Sequence, residues 1–120
     1  MKINVPSHIP TNGFYYHYKH DPQGIFNNYA YEVMGVGFHT EDNCRPEDSN
    51  VVVYRPLYES APVYQAERFF DIRPLEMFME DVTKEGKTFP RFVRISDPTL
   101  VKNLEEIKRQ MYGGDSSASR

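Results

Sequence analysis

The feature that most constrains the fold is an apolar run in the middle of the chain, residues 51–58, with the sequence VVVYRPLY. It opens with three consecutive β-branched residues, which favour the extended backbone of a strand. Pro56 has no backbone N–H to donate to a neighbouring strand, so we expect a bend or a sheet edge near the end of the run. The middle of the chain therefore predicts a β-sheet.

A second long strand is predicted over residues 29–40, where apolar side chains occur on both faces. Gly35 and Gly37 interrupt its middle, and glycines inside a strand commonly mark a bulge or a sharp bend. Bends of this kind allow a small sheet to curl onto itself. The glycines therefore favour a barrel over a flat sheet.

Further short strands are predicted at residues 14–19, 66–72 and 89–92, the last of them after a hairpin tip at residues 84–87. The connections are too short for crossover helices, so the pattern fits a small barrel better than a parallel α/β sheet. A short helical turn is predicted from Pro74. The sequence thus predicts a mainly β fold, a small SH3-like β-barrel with one C-terminal amphipathic helix.

The chain of 120 residues, 39% of them hydrophobic, has the size of one domain with one core. Asp97-Pro98 is a typical helix start, and Gly113-Gly114 would end that helix. The predicted segments are an irregular N-terminal arm (1–12), the SH3-like barrel (13–96), the C-terminal helix (97–112) and a disordered tail (113–120).

Charge and composition restrict the possible partners. The formal net charge of −3 provides no global positive field to attract nucleic acid or an anionic membrane, so a basic patch would have to be local. We expect no membrane association and a cytoplasmic protein, since no apolar run resembles a signal peptide or a transmembrane helix. The single cysteine, Cys44, forms no internal disulfide, and its acidic surroundings argue against an activated thiol.

Several motifs occur in an order that is typical of a known family. They are Tyr15-Tyr16-His17-Tyr18-Lys19, Tyr31-Glu32-Val33-Met34-Gly35-Val36, His39-Thr40-Glu41, Val52-Val53-Tyr54-Arg55 with Leu57-Tyr58, Ile72-Arg73-Pro74-Leu75-Glu76-Met77-Phe78, and Gly86-Lys87 with Pro90-Arg91-Phe92. In these motifs the chain resembles, over roughly residues 13–92, the small and mostly bacterial family named domain of unknown function 1653. The resemblance implies an SH3-like barrel and no established activity.

The chain departs from the family pattern in four respects. His20 stands where the family often has glycine, and Tyr16 stands where it often has arginine, which removes one basic group near His17. Residues 21–28 and 43–50 look like insertions. The helix after Pro98 lies beyond the family core, so the resemblance implies nothing about its partners.

Aromatic and basic side chains suggest a ligand-binding face. Guanidinium groups bind phosphate or carboxylate through two parallel hydrogen bonds, while tyrosine rings stack on bases or on proline. The alternative is that the tyrosines belong to a barrel core and that the arginines pair with Glu32, Glu41 or Glu76. The predicted ligand-binding residues are Tyr18, Lys19, Tyr54, Arg55, Tyr58 and Arg73.

A second set, the polar residues His17, His39, Thr40 and Glu41, could serve acid/base chemistry. Their spacing does not impose the convergence that a metal site needs, so we predict no metal, no cofactor and no catalytic residue. Three functions stay open: a module that binds a nucleotide or single-stranded nucleic acid, a metal-assisted or acid/base enzyme acting on a small substrate, and an adaptor for a protein partner. Of these we favour the binding module.

Overall fold

A computed structural model describes residues 6, 8–41, 45, 49–59 and 70–113. Its strands are β1 (Gly13–His17), β2 (Ala30–Phe38), β3 (Asn50–Pro56), β4 (Asp71–Pro74), β5 (Asp81–Lys84), β6 (Lys87–Pro90) and β7 (Phe92–Arg94). Its helices are α1 (Leu75–Met79) and α2 (Pro98–Tyr112). The predicted mainly β class and the C-terminal helix are thus confirmed.

Five strands form one antiparallel sheet in the order β4-β3-β2-β1-β7, and β5 and β6 form a separate hairpin. The pairing of β2 with β3 shifts register between Val33 and Gly35, where the sequence predicted a glycine bulge. Across the described residues, β4 and β7 are the edges of the sheet and do not pair with each other. Closure into an SH3-like barrel therefore stays a prediction.

The sheet separates two apolar clusters. On one side, which we call the helix face, Phe14, Ala30, Leu57 and Ile95 pack against Leu104 of α2. On the other side, which we call the aromatic face, α1 covers part of the sheet with Leu75 and Phe78, and these pack on residues that include Tyr15, Val33, Val52, Tyr54 and Phe92. Both faces of this sheet are therefore occupied, as the apolar residues on both sides of β2 required.

Helix α2 begins and ends at the residues that its sequence indicates. The side chain of Asp97 accepts a hydrogen bond from the backbone N–H of Leu100 at 3.0 Å, and Pro98 follows as the first helical residue. Gly113 ends the helix with a φ of +96°, a conformation that glycine adopts without a steric penalty. Leu104, in the middle of the helix, is fully buried against the sheet.

The predicted strand over residues 89–92 is wrong in one respect, because the chain changes sheets inside it. Strand β6 ends at Pro90, and Arg91 donates its backbone N–H to the carbonyl of Glu80 at 3.1 Å. Strand β7 then begins at Phe92 and joins the larger sheet beside β1. The predicted strand over residues 66–72 overlaps β4 only at Asp71 and Ile72, since Phe70 lies before β4, β4 runs on to Pro74, and residues 66–69 lie outside the described residues.

Some predictions concern parts of the chain outside the described residues. They are the disordered tail beyond Gly113, the setting of Cys44, and half of the N-terminal arm, residues 1–5 and 7. Neither of the helices that the structure describes has the length and apolar character that a membrane crossing requires.

Candidate ligand-binding face

The five strands of the large sheet each place at least one side chain on the aromatic face at the same end. Residues directly opposite each other in an antiparallel pair share a face, and this relation links His17 to Phe92 and Tyr54 to Asp71. Two residues along a strand also share a face, which adds Arg73. We call the following set the aromatic strip: His17, Tyr29, Tyr31, Tyr54, Tyr58, Asp71, Arg73 and Phe92.

The floor of the aromatic strip is tightly packed. The rings of Phe78 and Phe92 are stacked with centroids 4.1 Å apart and an interplanar angle of 7°. Tyr54 meets Phe92 edge-on at 5.8 Å, and Tyr31 meets Tyr54 edge-on at 5.5 Å. Such pairs favour offset or edge-to-face geometry and restrict ring motion. The polar groups of the strip therefore stand on a rigid base.

The sheet curls enough for side chains of its two edge strands to meet on this face. Arg73 belongs to the edge strand β4, yet its guanidinium carbon lies 6.0 Å from the ring centre of Phe92, in the opposite edge strand β7. A flat sheet of this order would separate these strands by the width of three others. The curl therefore gathers residues from all five strands into one small area.

Arg73 is the central cation of the aromatic strip. Its Nε donates a hydrogen bond to the hydroxyl of Tyr54 at 3.1 Å, which fixes the plane of the guanidinium. Its two terminal nitrogens donate to no acceptor among the described residues. A guanidinium held by Nε alone presents a flat pair of donors that matches the oxygens of a phosphate or a carboxylate.

Two tyrosines of the aromatic strip form a hydroxyl pair. The hydroxyl oxygens of Tyr31 and Tyr58 lie 2.5 Å apart. Burial raises the pKa of both phenols above the ordinary value, so both carry their protons at neutral pH. One hydroxyl donates to the other, which leaves the second proton free for a further acceptor.

His17 is neutral at physiological pH. Burial, followed by the positive charges of Arg73, Arg91 and Lys19, lowers its pKa to about 4. The backbone N–H of Lys19 donates to Nδ1 at 3.2 Å, so the neutral ring carries its proton on Nε2. His17 therefore offers a hydrogen-bond donor, and its Nδ1 lone pair is already engaged.

The depressed pKa of His17 predicts a pH dependence of stability. Unfolded His17 takes up a proton near its ordinary pKa of 6.5, whereas folded His17 resists protonation down to about 4. The contribution of His17 is thus complete above pH 6.5 and declines as the pH falls toward 4. We expect the melting temperature of His17→Phe to fall less than that of the natural chain over this interval, as followed by circular dichroism. Equal falls in both proteins would contradict the assignment.

Asp71 is a carboxylate of the aromatic strip that the sequence analysis missed. It is half-buried opposite Tyr54, and its carboxylate forms no hydrogen bond or ion pair with any described residue. Burial raises its pKa, while the charge of Arg73 acts in the opposite direction. Its position two residues before Arg73 on the same strand was the signal that could have identified it.

Tyr29 was also missed, and its backbone is unusual. Its φ of +54° lies in the left-handed region, which a bulky residue occupies only at a cost in free energy. Its ring lies 5.7 Å from the ring of His17 with an interplanar angle of 28°, and 5.7 Å from that of Tyr58. The side chain remains 37% exposed. Strain of this kind is typical of ligand-binding sites, and it leaves no signature in the sequence.

The structure brings together most of the predicted ligand-binding residues but not all of them. Tyr54, Tyr58 and Arg73 belong to the aromatic strip, and the ring of Tyr18 lies next to it, 4.5 Å from His17. Lys19 is exposed at the same end of β1. Arg55 is the exception, because it follows Tyr54 along β3 and therefore points to the helix face.

On the helix face, Arg55 is part of a charged contact with α2. Its Nε donates to Glu32 at 3.0 Å, the pairing with Glu32 that the sequence allowed as an alternative. Its guanidinium also lies 3.9 Å above the ring of Tyr112. Lys108 of α2 reaches the other oxygen of Glu32 at 3.0 Å. Arg55 therefore lies apart from Arg73 and contributes to the attachment of the helix.

The second predicted set does not converge. His17 lies beside the start of β2, where its backbone N–H donates to the carbonyl of Tyr29. His39 follows the last residue of that nine-residue strand, and Thr40 and Glu41 come after it. The described part of the chain contains no group of three His, Cys, Asp or Glu side chains that could hold a metal ion.

The fold and the aromatic strip define a class: a small, mainly β protein whose curled antiparallel sheet carries aromatic and charged side chains on one face and a helix on the other. A scan against models of protein families matches residues 13–94 to the family described as "Protein of unknown function (DUF1653)". The chain belongs to this family. The match ends with the last residue of β7, so α2 lies outside it. No curated protein and no solved structure matches the chain significantly.

Proposed function

We propose that this protein is a binding module for a phosphorylated nucleoside, free or within a single strand of nucleic acid, and that the aromatic strip holds it. The observation that carries the proposal is the guanidinium of Arg73. It is oriented by Tyr54, it has two terminal nitrogens without an acceptor among the described residues, and it stands among aromatic rings. A phosphate satisfies those nitrogens, and a base adjoins the rings.

The charge distribution around the strip supports an anionic ligand. The chain as a whole is negative, yet Arg73, Arg91 and Lys19 all act on His17. Arg91 is balanced in part by Glu80, which its terminal nitrogen reaches at 2.7 Å. After Asp71 and Glu80 are set against these three cations, one positive charge remains to attract a phosphate to this end of the sheet.

The rings at the margin of the strip support a planar ligand. Tyr29 is exposed, and Tyr18 and Tyr58 are half-buried, so each retains accessible ring surface. Bases stack on such rings, and one stacked base is worth about 1–3 kcal/mol of binding. The neutral donor of His17 stands between Tyr18 and Tyr29, where it could reach a carbonyl or phosphate oxygen.

The two other hypotheses have less support. An acid/base enzyme would need His17 to meet His39 and Glu41, which lie at the far end of β2, and the Nδ1 of His17 already accepts from Lys19. An adaptor that presents α2 to a partner would need the apolar side of that helix to be exposed. Leu104 on that side is instead buried against the sheet.

Replacement of Arg73 tests the proposal. We expect Arg73→Ala to weaken the binding of a nucleoside monophosphate at least tenfold, because a charge-assisted hydrogen bond contributes about 1.5–3 kcal/mol. Isothermal titration calorimetry measures the change. Arg109→Ala is the matched control, since Arg109 is an exposed arginine of α2, on the other face of the sheet. We expect this variant to bind the nucleoside monophosphate as tightly as the natural chain does.

Salt and ligand length complete this test. Binding through phosphate contacts should weaken as salt rises, because counterions are released. Titrations with a mononucleotide and with a short single-stranded oligonucleotide distinguish the two sources of the ligand. The proposal is contradicted if neither binds, if binding is insensitive to salt, or if Arg73→Ala and Arg109→Ala bind equally well.

A further inference from the structure

We propose that Asp71 reads the base and that the ligand is a guanine nucleotide or a guanine within a single strand. This inference rests on the proposed function, since it adds the identity of the base to the same site. The geometry behind it is the half-buried carboxylate of Asp71, which lies two residues before Arg73 on β4 and faces the same side of the sheet. This carboxylate has no partner among the described residues.

A carboxylate without a partner is costly in such a place. Burial raises the pKa of Asp71, which indicates that the charged form is desolvated without full compensation from the protein. One of the nearby phenols, Tyr31 and Tyr58, donates to the other, and neither hydroxyl forms a hydrogen bond with Asp71. Arg91 Nε is the one buried side-chain nitrogen or oxygen without a partner among the described residues, so the carboxylate oxygens of Asp71 keep access to solvent and are open to donors from a ligand.

The base edges differ in what they present to a carboxylate. A carboxylate accepts at two neighbouring oxygens, and guanine presents two neighbouring donors on its pairing edge, the ring N1–H and the exocyclic amino group. Adenine and cytosine each place a ring acceptor next to their amino group, and that acceptor would face a carboxylate oxygen. Uracil offers a single donor between two carbonyls. Guanine is therefore the base that satisfies both oxygens of Asp71.

The position of Asp71 is compatible with the role of Arg73. Two residues of one strand are separated by about 7 Å, and their side chains lie on the same face. The carboxylate and the guanidinium are thus close enough to contact different parts of one nucleotide and far enough apart to leave room between them. Tyr54 adjoins both residues, because it pairs with Asp71 across the two strands and accepts a hydrogen bond from Arg73. One end of the ligand would be read by Asp71 and the other bound by Arg73.

The test compares bases on the full chain by calorimetry. We expect guanosine monophosphate to bind at least tenfold more tightly than inosine monophosphate, which lacks only the exocyclic amino group, because one hydrogen bond to a charged acceptor is lost. Adenosine, cytidine and uridine monophosphates should bind more weakly still. Equal affinity for all five would overturn the assignment of the base and leave the proposed function standing. Failure of every nucleotide to bind would overturn both.

The Asp71→Asn variant provides a sharper criterion. An amide presents one acceptor and one donor, which matches xanthine, whose carbonyl replaces the amino group of guanine. We expect this variant to lose at least about tenfold in affinity for guanosine monophosphate and to gain affinity for xanthosine monophosphate. Asp81→Asn, which changes an exposed aspartate of β5, should leave both affinities unchanged.

Stability measurements separate a role in binding from a role in folding. Removal of a desolvated charge should leave the melting temperature of Asp71→Asn equal to or above that of the natural chain at pH 7. A lower melting temperature together with an unchanged base preference would show that Asp71 is structural, and it would overturn the inference.

Discussion

A chain that ends at Asp97 is expected to be largely unfolded at room temperature. Without α2, the helix face loses the cover that Leu104 provides, and Phe14, Leu57 and Ile95 become exposed. Burial of a large aliphatic side chain contributes about 1.5–3 kcal/mol, and several such residues of α2 pack here. The sum is comparable to the whole stability of a small domain, about 5–15 kcal/mol.

The measurement is the dispersion of amide signals in a two-dimensional NMR spectrum, together with far-ultraviolet circular dichroism. A chain that ends at Gly113 is the matched control, because it keeps all of α2 and its terminal glycine, and it should retain the spectrum of the full chain. A well-dispersed spectrum from the shorter chain would show that α2 is dispensable. It would also revive the hypothesis that this helix serves a protein partner.

The second large effect is expected for Glu32→Gln. Glu32 is 7% exposed, and its carboxylate contacts Arg55 at 3.0 Å and Lys108 at 3.0 Å. The substitution keeps the shape of the side chain but leaves two cations beside a neutral amide. Loss of one partner from a buried ion pair costs about 3–5 kcal/mol, so we expect a loss near the lower end, about 3 kcal/mol, because the amide oxygen still accepts one hydrogen bond.

Urea unfolding gives this value directly. Glu80→Gln is the matched control, since Glu80 also pairs with an arginine, Arg91, but its side chain is half exposed. Exposed pairs contribute about 0–1 kcal/mol, and the control should fall in that range. Equal losses in the two variants would contradict the view that Glu32 anchors α2 to the sheet.

The sequence predicted the fold well wherever local chemistry determines the structure. The bulge near Gly35, the start of α2 at Asp97-Pro98 and its end at Gly113 each depend on a few neighbouring residues, and all three are observed. The change of sheets at Arg91 could not be predicted in this way. It depends on a backbone hydrogen bond to Glu80, eleven residues earlier, and therefore on the tertiary arrangement of the hairpin.

The candidate site was predicted in part, and its errors have a physical cause. Tyr54 and Arg55 are neighbours in the sequence and were placed in one site, yet alternate residues of a strand point to opposite faces. The same rule, applied to β4, would have added Asp71 to Arg73. Tyr29 and Phe92 could not be identified from such rules, because they reach the strip through a left-handed turn and through the curl of the sheet.

The alternation along β3 also has a consequence for how such a protein can change over evolutionary time. Tyr54 faces the proposed ligand, while Arg55, one residue later, helps to anchor α2. Substitutions on separate surfaces that share no contacts have nearly independent effects on free energy. A lineage can therefore acquire a new ligand preference on the aromatic face while the contacts between the sheet and α2 on the helix face stay intact.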